Sequence, residues 1–111
     1  MLGLSSSTQI YLCRDAVDMR KSIDGLAAVV TSELKLDAKS CALFVFFNKR
    51  RDKVEILYWD RSGYAVWYKR LAQGRYRLPL LKKSASKLSV SDLTGILEGM
   101  DLLSSGRYRQ C

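Results

Sequence analysis

The stretch Val54–Leu71, VEILYWDRSGYAVWYKRL, decides the fold. Two runs of branched and aromatic residues, Val54–Trp59 and Tyr64–Leu71, flank Asp60-Arg61-Ser62-Gly63. Asp at the start and Gly at the close suit a four-residue loop built on a type I turn. The pattern predicts a β-hairpin in which Trp59 pairs with Tyr64, Leu57 faces Val66 and Ile56 faces Trp67. Side chains alternate across a strand, so these pairs meet on both faces of the sheet. Trp59 and Trp67 fall on opposite faces. Both cannot be core if only one face is covered, which leaves one as a candidate binding or homodimer surface.

Upstream, Ala42–Phe47 (ALFVFF) is short and apolar, as a buried strand is, and Asn48–Lys53 (NKRRDK) is a polar turn with four cations. Gln9–Cys13 (QIYLC) is rich in β-formers. Between these strands Met19, Ile23, Leu26, Ala27, Val30 and Leu34 recur at three- and four-residue intervals, predicting a helix over 19–36. Asp18 is its expected N-cap, with Asp15 as competitor. Arg20 and Lys21 then sit in the first turn, where the helix dipole disfavours cations. Gly25 sits mid-helix, about 1 kcal/mol worse than alanine. These read either as tolerated flaws, with another backbone packed over Gly25, or as cations aimed at a partner.

Downstream, Gln73-Gly74 is a turn, Arg75–Leu78 follows it, and Pro79 breaks the chain. Leu81–Leu88 reads as a basic linker or exposed loop. Ser91 or Asp92 is the expected cap of a last helix with Leu93, Ile96, Leu97 and Met100 on one face. The order β-α-β-β-β-α predicts an α+β fold: a small, mostly antiparallel sheet of four to five strands with two helices on one face. Residues 1–103 are expected to form one domain and 104–111 a flexible tail.

Charge is concentrated. The chain carries +8, but residues 49–87 hold twelve cations against Asp52, Glu55 and Asp60, a net +9. Such a field suits a polyanionic partner. Its cations fall on turns and strand ends: Lys49, Arg50, Arg51 and Lys53, then Arg61, then Lys69 and Arg70, then Arg75, Arg77, Lys82, Lys83 and Lys87. Antiparallel connection brings the 49–53 turn and the 69–71 strand end to one edge. That predicts a positive rim able to bind DNA phosphates by counterion release. Tyr58, Trp59, Tyr64, Trp67, Tyr68 and Tyr76 lie between the cations. Aromatics so interleaved read either as core, the favoured reading, or as a surface that stacks unpaired bases.

Catalysis finds little to work with. Histidine is absent, which removes the commonest general base and metal ligand. Cys13, Cys41 and Cys111 are far apart with no CxxC pair, which reads as reduced thiols rather than a zinc site or a disulfide framework. Asp18, Asp24 and Asp60 could hold a divalent metal, yet each has a structural role as cap, exposed helix residue or turn residue. Glycine spacing fits neither a Walker nor a dinucleotide loop. No catalytic residue, metal or cofactor is expected. No apolar run spans a membrane and 1–8 lacks a signal-peptide pattern, so the expected location is the cytoplasm.

Five motifs stand in order: Asp18-Met19-Arg20-Lys21 with Asp24-Gly25-Leu26; Ala42-Leu43-Phe44-Val45-Phe46; Ile56-Leu57-Tyr58-Trp59-Asp60; Trp67-Tyr68-Lys69-Arg70-Leu71; and Gly74-Arg75. Together they resemble the TnpB-type accessory proteins of the insertion-sequence-sixty-six family of bacterial transposable elements, which are distinct from the RNA-guided nuclease that shares the label. The resemblance runs from about Ile10 to Pro79, with an echo in Leu93–Gly99. It implies a small, non-catalytic bacterial protein that acts in transposition beside a separate transposase. Family cations correspond to Arg20, Lys21, Lys69, Arg70 and Arg75, its Asp to Asp60, and its aromatics to Trp59, Trp67 and Tyr68. The chain departs at Cys41, where the family usually has glycine, and at Glu55, where lysine is common. Tyr76-Arg77-Leu78-Pro79 replaces an aromatic-tryptophan-proline ending.

Three readings follow from residues and resemblance together. One is DNA binding, with element ends as the candidate target, through Arg20, Lys21, Lys49, Arg50, Arg51, Lys53, Lys69, Arg70, Arg75 and Arg77. Another is a protein-interaction module that docks on the transposase. The third is RNA binding by stacking on Trp67 or Tyr68; Trp59, Trp67 and Tyr68 together are the candidate stacking or interaction residues.

Overall fold

The hairpin forms in the expected register. In the computed structural model, which describes residues 4–99, strand β3 (Lys53–Asp60) pairs antiparallel with β4 (Gly63–Arg70). Trp59 lies opposite Tyr64, Leu57 opposite Val66 and Ile56 opposite Trp67. The loop is shorter than the type I pattern suggests. Asp60 pairs with Gly63, so only Arg61 and Ser62 connect the strands, and Arg61 takes a left-handed φ of 56°. The Ser62 N–H donates to the Asp60 carbonyl, closing a tight turn centred on Arg61.

Five strands form one sheet in the order β4-β3-β2-β1-β5, with β1 at Ile10–Cys13, β2 at Leu43–Phe47 and β5 at Ala85–Leu88. Three pairings are antiparallel, but β1 runs parallel to β2, so the sheet is mixed. Parallel neighbours need a long crossover, and the helical connection between β1 and β2 supplies it. The linker expected at 81–88 contains β5, which closes the edge beside β1. Its alternation is hidden by Lys87 and Ser86, because an edge strand has less to bury.

Both sheet faces are covered, and the two helices lie on opposite faces rather than one. All five residues of β2 are buried, a pattern that requires cover on both sides. On one side Leu26, Val29, Val30 and Leu34 pack with Phe44, Phe46 and Leu57. On the other, Leu93 and Ile96 of α2 (Val90–Gly99) pack with Val45, Ile56 and Phe47, joined by the buried Tyr76. The premise that one tryptophan must face solvent therefore fails. Trp59 and Trp67 do lie on opposite faces, and both are half-buried.

The first helix starts later than its apolar spacing suggests. Helix α1 covers Ile23–Ala28 and widens into a π-helical turn at Val29–Glu33. Its N-cap is Ser22, whose Oγ accepts from the Gly25 N–H at 3.1 Å. Asp18 instead folds back on Arg20, accepting its backbone N–H at 2.8 Å and its guanidinium at 2.8 Å. Arg20 and Lys21 thus precede the helix rather than sit in its first turn, and Arg20 pairs with Asp18. A Cβ at Gly25 would lie 2.7 Å from Lys21 Cγ, so the neighbour is a side-chain stem rather than a second backbone. The Thr31 hydroxyl donates to the Ala27 carbonyl at 3.1 Å, a local bond that bends helices, and Lys35 at φ 58° ends the run.

At α2 the cap is Ser89, not Ser91 or Asp92. The Asp92 N–H donates to Ser89 Oγ at 2.9 Å and the Ser89 N–H to Asp92 Oδ2 at 3.1 Å, a reciprocal capping box. Met100 and the tail expected at 104–111 lie outside the described residues.

Candidate nucleic-acid interface

Strand directions gather the cations at one end of the sheet. The last residues of β1, β2 and β4 and the first of β3 and β5 all lie there. Chain segments leaving these strands are laced together by backbone bonds. The Val17 N–H donates to the Phe47 carbonyl at 3.0 Å, Leu71 to Asp52 at 2.8 Å, Tyr76 to Arg51 at 2.6 Å and Arg14 to Ser84 at 3.0 Å.

The turn Asn48–Lys53 stands at the centre of this end, and Asn48 organises it. Asn48 Oδ1 accepts from the Asp52 and Lys53 N–H groups at 3.1 and 3.0 Å, while Nδ2 donates to Asp52 Oδ1 at 2.6 Å. That side-chain bond holds the Asp52 carboxyl below its usual range. Arg51 adopts a left-handed φ of 60°. A short polar side chain bonding its own turn is a common device, and Asn at position 48 is the sequence signal for it.

Two clefts flank the turn, each of about 510 Å³. The first is lined by Arg20, Lys49, Arg50 and Lys53 with Val17 and Asp18. The second is lined by Arg51, Arg75 and Arg77 with Tyr76 and Leu78. Val17 packs on the α1 side of the sheet, whereas Tyr76 and Leu78 pack on the α2 side. The clefts therefore open on opposite faces. A smaller third cleft runs between them past Arg14, Lys49 and Arg51.

Of the ten cations read from the sequence, seven line these two clefts. Arg70 and Lys69 pair in register with Lys53 and Val54, so they join the same end. Lys21 is exposed, with its stem over Gly25, outside both clefts. Arg14 is not among the ten. It arrives because β1 ends there, and its guanidinium contacts the Lys82 carbonyl at 3.2 Å and pairs with Asp15 at 3.1 Å. Among the described residues, Arg14 and Arg20 are the cations that form ion pairs with a carboxylate, while Arg50 and Lys53 lie in the field of Asp52. The Arg20 hydrogen bonds hold the Asp18 carboxyl down at about 2.

The three aromatic candidates are not brought together. Trp59 lies at the hairpin end, six residues along β3 from Lys53, or about 20 Å. There it meets Tyr64 edge-on at 5.0 Å, with Lys39 Nζ 5.2 Å from its ring. Trp67 packs against the α2-side core. Tyr68 is 50% exposed on the α1 side, opposite Glu55. Tyr76 is core, edge-on to Phe47 at 5.2 Å. Burial pushes its hydroxyl up to about 12.

Candidate acids are dispersed as well. Asp18 faces Arg20, Asp24 lies in the first turn of α1 and Asp60 lies at the hairpin. Among the described residues, no three Cys, Asp or Glu gather as a metal site. Cys13 is free and buried, and Cys41 is free and exposed. Among the described residues no helix is long and apolar enough to cross a membrane.

Comparison with known proteins decides the family. The model of the family described as IS66 Orf2 like protein matches residues 8–107, from ahead of β1 to beyond α2. The chain belongs to the IS66 Orf2 like protein family. It is therefore an accessory protein of an insertion sequence. Among its relatives in Sinorhizobium fredii (strain NBRC 101917 / NGR234), "Uncharacterized protein y4jC" is 34% identical over 101 residues, covering 91% of this chain and 86% of that one. "Uncharacterized protein y4hO" is 29% identical over 101 residues, covering 91% and 88%. No solved structure matches this IS66 Orf2-like chain.

Proposed function

We propose that this IS66 Orf2-like protein is a non-catalytic, cytoplasmic accessory factor of bacterial transposition that binds DNA, at element ends, through the backbone. The observation that carries this reading is the convergence of Arg20, Lys49, Arg50, Arg51, Lys53, Arg75 and Arg77 on two clefts at one sheet end. Lys69 and Arg70 extend that end along β4. Cations held by a hydrogen-bonded turn can replace condensed counterions on several phosphates at once. Phosphate contacts position a protein without reading bases, so affinity is expected to depend weakly on sequence.

The test is a salt titration of binding to terminal-repeat and scrambled duplexes, with and without the transposase. Lys69→Ala combined with Arg70→Ala should weaken binding to both duplexes and flatten the salt slope by about 0.9 for each phosphate left unneutralised. Unchanged affinity of the double variant at low salt removes these residues from the interface. If the protein alone binds no DNA, but captures the transposase after nuclease treatment and in high salt, it is a protein-docking module instead.

A further inference from the structure

Resting on the DNA reading above, we propose that the 48–53 turn enters the major groove of duplex DNA while the two clefts grip phosphates on opposite strands. The first ground is placement. One rigid turn separates Arg20, Lys49 and Lys53 on the α1 side from Arg51, Arg75 and Arg77 on the α2 side. A site that followed a single strand would need its cations in one line on one face. Here the sheet itself stands between them.

The second ground is size. Sheets pack about 10 Å apart, so one sheet end with its side chains is about 10 Å thick. The major groove is about 12 Å wide and accepts a two-stranded ribbon, whereas the minor groove is only about 6 Å wide. The 48–53 turn is the closed end of the β2–β3 ribbon. Its neighbours on either side then meet the two phosphate walls.

The third ground is rigidity. Asn48 ties the turn through three side-chain bonds, and the Arg51 carbonyl accepts from the Tyr76 N–H at 2.6 Å. The cleft cations on the two faces are thereby held at a set separation, which lowers the ordering entropy of binding.

The test uses the full-length protein and short duplexes in which one strand carries neutral methylphosphonate linkages. A two-strand grip then finds charge on only half of its phosphates, and those release fewer counterions each. The salt slope should fall to about four-tenths of the all-phosphate value, using 0.7 rather than 0.9 per phosphate. A one-strand grip would keep about eight-tenths. A slope near that higher value overturns the two-strand grip and leaves DNA binding standing. No binding to the all-phosphate duplex at low salt overturns the DNA reading itself.

Two further arms keep the groove and the clefts separately testable. Netropsin, which fills the minor groove, should leave affinity unchanged; displacement of the protein overturns the major-groove placement. Arg20→Ala with Lys49→Ala, and Arg75→Ala with Arg77→Ala, should each flatten the slope on the all-phosphate duplex. A pair without effect, in a variant that melts like wild type, removes its cleft from the grip.

Discussion

Lys53 and Arg70 stand directly opposite each other across β3 and β4, two cations on one face of the sheet. Neither pairs with a carboxylate among the described residues. Like charges in direct cross-strand register are destabilising. A chain that keeps such a pair retains an electrostatic penalty that a polyanion would relieve.

Replacing one partner should separate stability from binding. Arg70→Thr removes the repulsion and places a β-branched residue in the strand, raising stability by about 0.2–1 kcal/mol. Thermal melts at low salt should show the gain, and added salt should shrink it. DNA affinity should fall in the same variant. A variant that is less stable at low salt would show that the pair is not strained.

Asn48→Ala removes no charge, yet it should weaken DNA binding. Three hydrogen bonds hold the turn that carries Lys49, Arg50 and Arg51, and removing them should lower stability by about 1–3 kcal/mol. Equilibrium urea unfolding gives the change in stability, and a binding isotherm at a temperature where both proteins are folded gives the affinity. Equal affinities would mean that the turn need not be rigid.

Arg51 and Arg61 share a left-handed backbone, at φ 60° and 56°, but lie at opposite ends of the sheet. Glycine adopts that conformation without a Cβ clash, so Arg51→Gly and Arg61→Gly should each stabilise by up to about 1 kcal/mol. Only Arg51→Gly should flatten the salt slope of DNA binding. Equal effects on the slope would contradict the placement of the interface at the 48–53 end.

Glu55 gives a pH-dependent stability. Its residue is only 9% exposed, its Oε1 has no hydrogen-bond partner, and burial pushes its carboxyl above the ordinary value. The folded state therefore binds the proton more tightly than the unfolded state does. Any penalty is absent below the unfolded value of about 4.3 and grows as pH rises through the raised folded value. Glu55→Gln carries no such charge. The melting-temperature difference, variant minus wild type, should increase with pH and then level off. A difference that stays constant with pH would remove burial of the charge as its cause.

Local pattern carried much of this structure. The β3–β4 register was readable to the residue, because turn chemistry and facing aromatic and branched side chains specify pairing together. The unbroken ALFVFF run correctly announced a buried strand. Helix boundaries were less readable. Asp18 has the spacing of a cap, but its carboxylate is captured by Arg20, leaving Ser22 to cap. Strand β5 was obscured by its lysine and serine, since its pairing with β1 is set by residues about 75 positions away.

For the site, sequence alone determined which residues are charged, that they crowd into 49–87, and which family the ordered motifs resemble. Those properties are local, and chain order preserves them. Only the tertiary structure decided that Arg20, distant in sequence, shares a cleft with Lys49 and Lys53, and that Arg75 and Arg77 open on the other face. It also separated Trp59 from the cleft cations and put Tyr76 in the core. The physical reason is that the parallel β1–β2 crossover sets α1 on one face, while α2, which follows β5, covers the other. Strand order and layer assignment depend on burial of the whole sheet, and no window of neighbouring residues contains that information.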